Sequence, residues 1–261
     1  MADQKNHLTL STRPLADAKR DVAALNRRKV AALAMPVMAL IPHTQYDLPD
    51  PATITALIFT SRNAVICFAT SAMLAAWLDK PVFVVGAATG TAARLAGFRN
   101  VTVGHGGGAG LVPAILAANL NRDLAILWPS AIHKSFDMQT ALGAHDITII
   151  DMPVYDMAPV GVIDLAVAQH LEDGGMLSVI LMSARSATLF VELLKAGNLW
   201  QHRSRISVIA GSAAIADSAG AGWKNIWISK RPSRSRILAI ATLLDRQEHQ
   251  MRQITDKGSA V

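Results

Sequence analysis

An internal repeat of about 120 residues constrains this chain more than any other feature. MPVMAL at Met35–Leu40 returns as MPVYDM at Met152–Met157, a shift of 117, which also sets Leu10 on Leu127 and Leu25 on Leu142. SRNAVICF from Ser61 matches SARSATLF from Ser183 at a shift of 122. GFRNVTV from Gly97 matches GWKNIWI from Gly222 at 125, and Gly86 then falls on Gly211. The order is kept and the shift only grows, as small insertions would produce. A tandem duplication follows, and with it two similar bodies.

Each copy reads as strand alternating with helix. The first supplies HLTLST, AALAMPV, ALIFTS, PVFVVG and NVTVG; the second supplies LAILWP, ITIIDMPV, SVILMS, ISVIAG and NIWIS. Helices are expected at about residues 15–28, 63–78, 89–96 and 110–120 of the first copy. Near-continuous apolar strands between amphipathic helices predict parallel sheets covered on both faces, the doubly wound α/β class. The tail DRQEHQMRQITDKGSAV reads as a polar helix end running into disorder.

Composition narrows the function. Half of the 261 residues are hydrophobic and 17% are charged, enough for one large or two medium cores and too apolar for disorder. The apolar runs are short and bounded by Pro, Gly or charge, none near the ~20 residues of a membrane span. The first residues, MADQKNHLTL, carry no secretion pattern, and the expectation is a cytoplasmic protein. Cys67 is the only cysteine, which excludes an intrachain disulfide and a cysteine-rich metal site. The net charge of +6 sits toward the two ends, +4 over Arg13–Lys29 and +4 over Lys230–Lys257, against −2 over Ala39–Asp156. Aromatic residues make up 5% of the chain, too few to interleave with those charges as a single-stranded nucleic-acid surface does. Solvated helix faces account for the basic ends, and attraction to a small polyanion stays open.

In open parallel sheets ligands bind beyond the carboxyl ends of the strands. Five such turns share a character here. Thr60 ends a strand and Ser61 caps the next helix; Ser183 repeats this; Thr12 and Arg13 precede Pro14; VVGAATGTA and VIAGSAAIA are glycine- and hydroxyl-containing versions. Each alone stabilises its helix, and five on one rim also suit anion binding through free N–H groups. A G-x-S-x-G elbow, H-E-x-x-H, Walker A and C-x-x-C are all absent, and the eight histidines show no ligand spacing. GHGGGAG at Gly104–Gly110 lacks the dinucleotide register and reads as a flexible strand–helix loop.

At TSRNAV, VGAAT followed by AGF, SARSA and PVY, with STRP near the start and KRPS near the end, the sequence resembles the uroporphyrinogen-III synthases over nearly its whole length. The resemblance implies two flavodoxin-like lobes joined by a two-stranded β linker, residues 1–38 with 157–261 and residues 39–156. The two MPV segments would be the paired linker strands. It implies a cofactor-free, metal-free monomer that takes hydroxymethylbilane, removes its terminal hydroxyl as water, inverts ring D through a spiro intermediate and closes the macrocycle. Contact with the preceding pathway enzyme would be transient, and neither nucleic acid nor membrane is a partner. Tyr155 matches the tyrosine of the PVY segment and would be the general acid; its other reading is a linker residue packed against Met38, its mate in the repeat. Thr89 matches the threonine of the G-x-x-T turn and would bond an arm or the leaving hydroxyl. Thr12, Arg13, Thr60, Ser61, Arg62, Asn63, Ala64, Ser183, Arg185, Ser186 and Ser212 would hold substrate. Two positions depart from the family pattern: Ala214 stands where threonine is frequent, leaving Ser212, and SAIHKS lacks a frequent arginine, leaving His133 or Lys134 to substitute. A two-lobed module that binds a small anion or tetrapyrrole without transforming it is the alternative.

Overall fold

The repeated apolar runs become strands. A computed structural model of the chain describes residues 7–134, 136–231 and 233–258. In chain order, β1 (His7–Ser11), α1 (Leu15–Asn26), β2 (Ala32–Ala34) and β3 (Met38–Pro42) come first. They are followed by β4 (Ile54–Phe59), α2 (Arg62–Phe68), β5 (Pro81–Val84), α3 (Ala87–Leu95), β6 (Asn100–Val103) and α4 (Leu111–Leu116). Next are β7 (Ala125–Ala131), α5 (Met138–Gly143), β8 (Ile149–Pro159), α6 (Leu165–Glu172), β9 (Met176–Leu181) and α7 (Ala184–Ala196). The chain ends with β10 (Ile206–Ala210), α8 (Ala213–Ala219), β11 (Asn225–Ile228) and α9 (Arg234–Gly258).

The fold is mixed α/β with two sheets, in two units. Unit 1 comprises the chain up to Ala39 together with the chain from Pro159 onward; unit 2 is Leu40–Ala158. The sheet of unit 1 has the order β2-β1-β9-β10-β11, with parallel pairing throughout. The other sheet has the order β3-β8-β7-β4-β5-β6, parallel from β8 to β6. β3 runs antiparallel to β8: the Val160 N–H donates to the Val37 carbonyl at 3.0 Å and the His43 N–H to the Val154 carbonyl at 2.9 Å. Leaving β3 aside, β8-β7-β4-β5-β6 follows the same doubly wound plan as β2-β1-β9-β10-β11. In each, a pair and a triple of strands meet at a point where the strand order reverses, between β1 and β9 and between β7 and β4.

Alternation along the strands buries both faces of each sheet. In unit 1, Leu10, Val179 and Val208 join Phe190 and Leu194 of α7, while Ile180 and Ile209 face Leu25 of α1 and Ile237 and Leu238 of α9. In unit 2, Leu57, Phe59, Val82 and Leu127 join Val65, Phe68 and Ala93 of α2 and α3. Ala56, Ile58, Phe83 and Trp128 face Leu111, Met138 and Leu142 on the other side. Each of these side chains is at least nine-tenths buried, a stabilisation of about 1.5–3 kcal/mol apiece for the Val, Leu, Ile, Met and Phe among them.

Three expectations change. The helix expected over residues 63–78 stops at Phe68 and a single 3-10 turn follows at Leu74–Trp77. Thr70 donates to the Cys67 carbonyl and Ser71 accepts from the Met73 N–H, so hydroxyl groups take over the backbone bonds a helix would need. Of AALAMPV only Ala32–Ala34 forms a strand, because Pro36 has no N–H to give a ladder, and β3 begins beyond the segment at Met38. The tail expected to run into disorder continues α9 to Gly258; residues 259–261 lie outside the described residues. The basic ends are partly neutralised at α1 and α9. Arg13 and Arg20 pair with Asp17, Arg13 reaches Asp21 at 3.4 Å, and Arg234 Nε donates to Asp21 at 2.6 Å.

Candidate active site

The strand-order reversal in unit 2 opens a cleft of about 290 Å³ at the carboxyl ends of its strands. Thr60 and Ser61 enter it from the turn after β4, Val85 from the end of β5, Gly107 and Gly108 from the loop after β6, and Tyr155 from β8. Trp128 and Ala131 of β7 and His133, Lys134 and Phe136 beyond it complete the wall.

Ser61 is extended, with φ −151° and ψ 142°, and caps α2 by accepting the Asn63 N–H at 3.0 Å. Beneath it Phe59, Phe68, Phe98 and Trp77 pack with ring centroids 5.6–6.4 Å apart, so the turn stands on a rigid aromatic base. Tyr155 is 5% exposed and its hydroxyl donates to Ser61 Oγ at 2.9 Å. A bulge lies beside it: Ser130 pairs with Pro153 but Ala131 pairs with Tyr155, which re-aims the strand at the cleft. Burial pushes the Tyr155 phenol above its ordinary 10.0, the Ser61 bond acting in the opposite sense, so the ring keeps its proton at neutral pH.

Facing this pair is a charged group of residues. Lys134 Nζ lies 2.6 Å from Asp151 Oδ2 and 5.5 Å from the centre of the Trp128 ring. Ser130 Oγ donates to the other Asp151 oxygen at 2.5 Å, and Trp128 Nε1 donates to Thr60 Oγ1 at 3.3 Å. The cleft therefore holds one cation beside hydroxyl donors and an aromatic surface.

The family model described as "Uroporphyrinogen-III synthase HemD" matches residues 19–239. The chain belongs to the uroporphyrinogen-III synthase family. Among solved structures it resembles uroporphyrinogen-III synthetase from Helicobacter pylori, with 18% identity, a TM-score of 0.63, and coverage of 92% of this chain and 99% of that one. A mutant uroporphyrinogen III synthase from Thermus thermophilus gives 15% identity and a TM-score of 0.48 over 92% and 99% of the two chains. The wild-type Thermus thermophilus synthase gives 16%, 0.41, 94% and 98%. No curated protein matches the sequence at a significant level. The activity of the family is that of a cyclising lyase in porphyrin and heme biosynthesis.

Thr60, Ser61 and Tyr155 are thus brought together on one wall. The other expected site residues of unit 2 lie elsewhere. Thr89 is buried in the first turn of α3, outside the cleft lining; Ala64 is buried in the core; Asn63 Nδ2 donates to Met157 Sδ at 3.9 Å; Arg62 is half-buried at the start of α2. In unit 1, Thr12 is fully buried and donates to the Ile180 carbonyl at 2.7 Å, holding β1 to β9 at the reversal point. Arg13 is engaged by Asp17 and Asp21. Ser183 and Ser186 form a capping box at the start of α7, with Arg185 between them, and Ser212 stands at the N-cap of α8 without a side-chain cap bond.

Sequence reasoning missed Trp128, Ser130, Asp151 and the role of the glycine loop. Gly107 has φ +78°, and a Cβ on Gly108 would stand 2.6 Å from the Phe136 ring, so this loop reaches the cleft because it lacks side chains. No group of three or more His, Cys, Asp or Glu suited to a metal occurs among the described residues, and no described helix is long and apolar enough to cross a membrane.

Proposed function

We propose that this chain closes hydroxymethylbilane to uroporphyrinogen III in the cleft of unit 2, with Tyr155 as the source of the proton for the departing hydroxyl. The observation that carries this reading is the buried Tyr155–Ser61 pair on the wall of that cleft. A hydroxyl leaves poorly unless it is protonated, and a positioned acid contributes about 10²–10⁴-fold. Once water has gone, the substituted carbon of ring D attacks, the ring inverts through the spiro intermediate, and closure follows. Catalysis of this kind rests on holding the linear bilane in a folded arrangement, which carries much of the barrier reduction.

Lys134 meets the acetate or propionate arm of a pyrrole, and Thr60 and the Gly107–Gly108 backbone supply further polar contacts. The turns at Arg62–Ala64, Thr12–Arg13, Ser183–Ser186 and Ser212, and the hydroxyl of Thr89, remain proposed contacts for the other arms. Units 1 and 2 correspond in this reading to the two lobes of the family. The enzyme is a cytoplasmic monomer without a cofactor, in transient contact with the enzyme that supplies the bilane.

Incubating the protein with hydroxymethylbilane, oxidising the products and resolving type-I from type-III uroporphyrin tests the function. Type III is expected as the main isomer, with and without chelator. Type I at the rate of the protein-free control would leave a binding module. Activity lost to chelator and restored by metal would contradict the cofactor-free reading.

A further inference from the structure

A serine hydroxyl has one proton to donate and two lone pairs that accept. Both accepting positions of Ser61 are taken, one by the Asn63 N–H at 3.0 Å and the other by the Tyr155 O–H at 2.9 Å. Its own proton has no acceptor among the described residues, and Ser61 lines the cleft. The Tyr155 proton, by contrast, is already aimed at Ser61 from a ring that is 5% exposed.

We propose that Ser61 is the catalytic residue that gives the departing hydroxyl its proton, and that Tyr155 acts behind it by resupplying Ser61. This rests on the cleft of unit 2 being the reaction site. The Ser61 proton passes to the hydroxyl oxygen of the bilane, the carbon–oxygen bond breaks, and its electron pair leaves with water. In the same step the Tyr155 proton moves to Ser61 Oγ, so no serine alkoxide forms and a tyrosinate remains. When the macrocycle has closed, the pyrrole carbon that formed the new bond still carries a hydrogen. That proton returns through Ser61 to Tyr155 as the ring regains aromaticity. The enzyme is restored and the substrate has lost one water.

Two features favour the relay over direct donation by the phenol. The cap bond from Asn63 fixes the serine oxygen, so its remaining hydrogen is restricted to directions away from Asn63 and Tyr155. A short serine on the wall also lets the bilane approach without displacing a buried ring whose removal from the core would be costly.

The test is single-turnover kinetics on Ser61→Ala, Ser61→Thr, Ser61→Asn, Tyr155→Phe and the Ser61→Ala/Tyr155→Phe double variant, each with its melting temperature. A relay predicts that Ser61→Ala and Tyr155→Phe each slow turnover by ~10-fold or more with little change in KM, and that the double variant is no slower than the slower single one. Ser61→Thr should recover most of the rate lost in the alanine variant. Ser61→Asn keeps a capping oxygen, so it should melt near the wild type yet turn over as slowly as Ser61→Ala. In mixtures of light and heavy water the wild-type rate should follow a curve for two protons in flight, and the Tyr155→Phe rate a straight line. Near-normal turnover of Ser61→Ala beside a slow Tyr155→Phe overturns the relay and leaves the phenol as direct donor. Losses that multiply in the double variant, or a straight line for the wild type, overturn it too. Normal turnover in both single variants removes the proton source from this pair altogether, which is failure of the proposed site itself.

Discussion

Ser61 and Ser183 stand at matching turns, each the last residue before a helix that follows a buried strand, yet their hydroxyls are spent differently. Ser183 Oγ accepts the Ser186 N–H at 3.1 Å and donates to Ser186 Oγ at 2.9 Å, while Ser186 Oγ donates to the Ser183 carbonyl at 2.8 Å. That is a closed circuit within one turn of α7. Ser61 makes only the cap bond locally, and its second bond comes from Tyr155, 94 residues away. The reversal points differ in the same sense. At the one in unit 1 the Thr12 hydroxyl is spent on a buried bond to the Ile180 carbonyl, whereas in unit 2 Thr60 and Ser61 line the cleft. One sheet plan thus yields a turn satisfied by itself and a turn completed by a distant side chain, and only the second leaves a proton to give.

The largest effect should therefore separate these two serines. At saturating bilane Ser61→Ala should lose turnover by ~10-fold or more, while Ser183→Ala, at a turn proposed only to hold an arm, changes KM and stays within about threefold of the wild type in turnover. Equal losses would mean that both turns act on the bilane in the same way. Next in size is Lys134→Gln, which removes a charge-assisted contact of about 1.5–3 kcal/mol to a carboxylate arm. KM should rise ~10-fold or more with a smaller change in kcat, and Lys134→Arg should recover part of it. A loss confined to kcat would shift Lys134 from substrate binding to the chemistry.

How much of this contrast can be read from the chain alone depends on distance along it. Ser61 and Ser183 are recognisable as helix caps from neighbouring residues, because capping is local. The strands follow from their apolar runs, and the parallel, doubly covered sheets follow from those runs alternating with helices. The Trp128–Lys134–Asp151 cluster is a different matter. Asp151 sits in the apolar ITIID run and faces Trp128 only through the β7–β8 register, which no local pattern records. The glycine loop was recognisable as non-dinucleotide, but its place on the cleft wall depends on the close approach of Phe136 to Gly108. Thr89 shows the reverse case: its motif position is clear from the chain, while its burial in the first turn of α3 is not.

Smaller effects concern stability. Ser183→Ala should destabilise the protein by about 1 kcal/mol through loss of the cap, a fall in melting temperature of roughly 2–4 °C, with product formation at saturating bilane largely intact. An unchanged melting temperature would show that the circuit around Ser186 contributes nothing. The least effect comes from the Tyr155 phenol. Its folded pKa lies above the ordinary 10.0, so above that pH the native protein retains a proton that the unfolded chain releases. Stability should then fall as pH rises through 10 and beyond, and more steeply than in Tyr155→Phe, as denaturant titrations at pH 9 and 11 can compare. Parallel pH dependences in the two proteins would place the phenol in a more aqueous setting.

Single-turnover ring closure by Tyr155→Phe tests most directly whether the turn completed from a distance is the one that performs the chemistry. The substitution keeps the buried ring and removes only the hydroxyl that reaches Ser61. The account predicts a rate at least ~10-fold below the wild type with the melting temperature and product affinity little changed. A variant that forms type-III product at nearly the wild-type rate would contradict it, and would leave Tyr155 as a packing residue of β8.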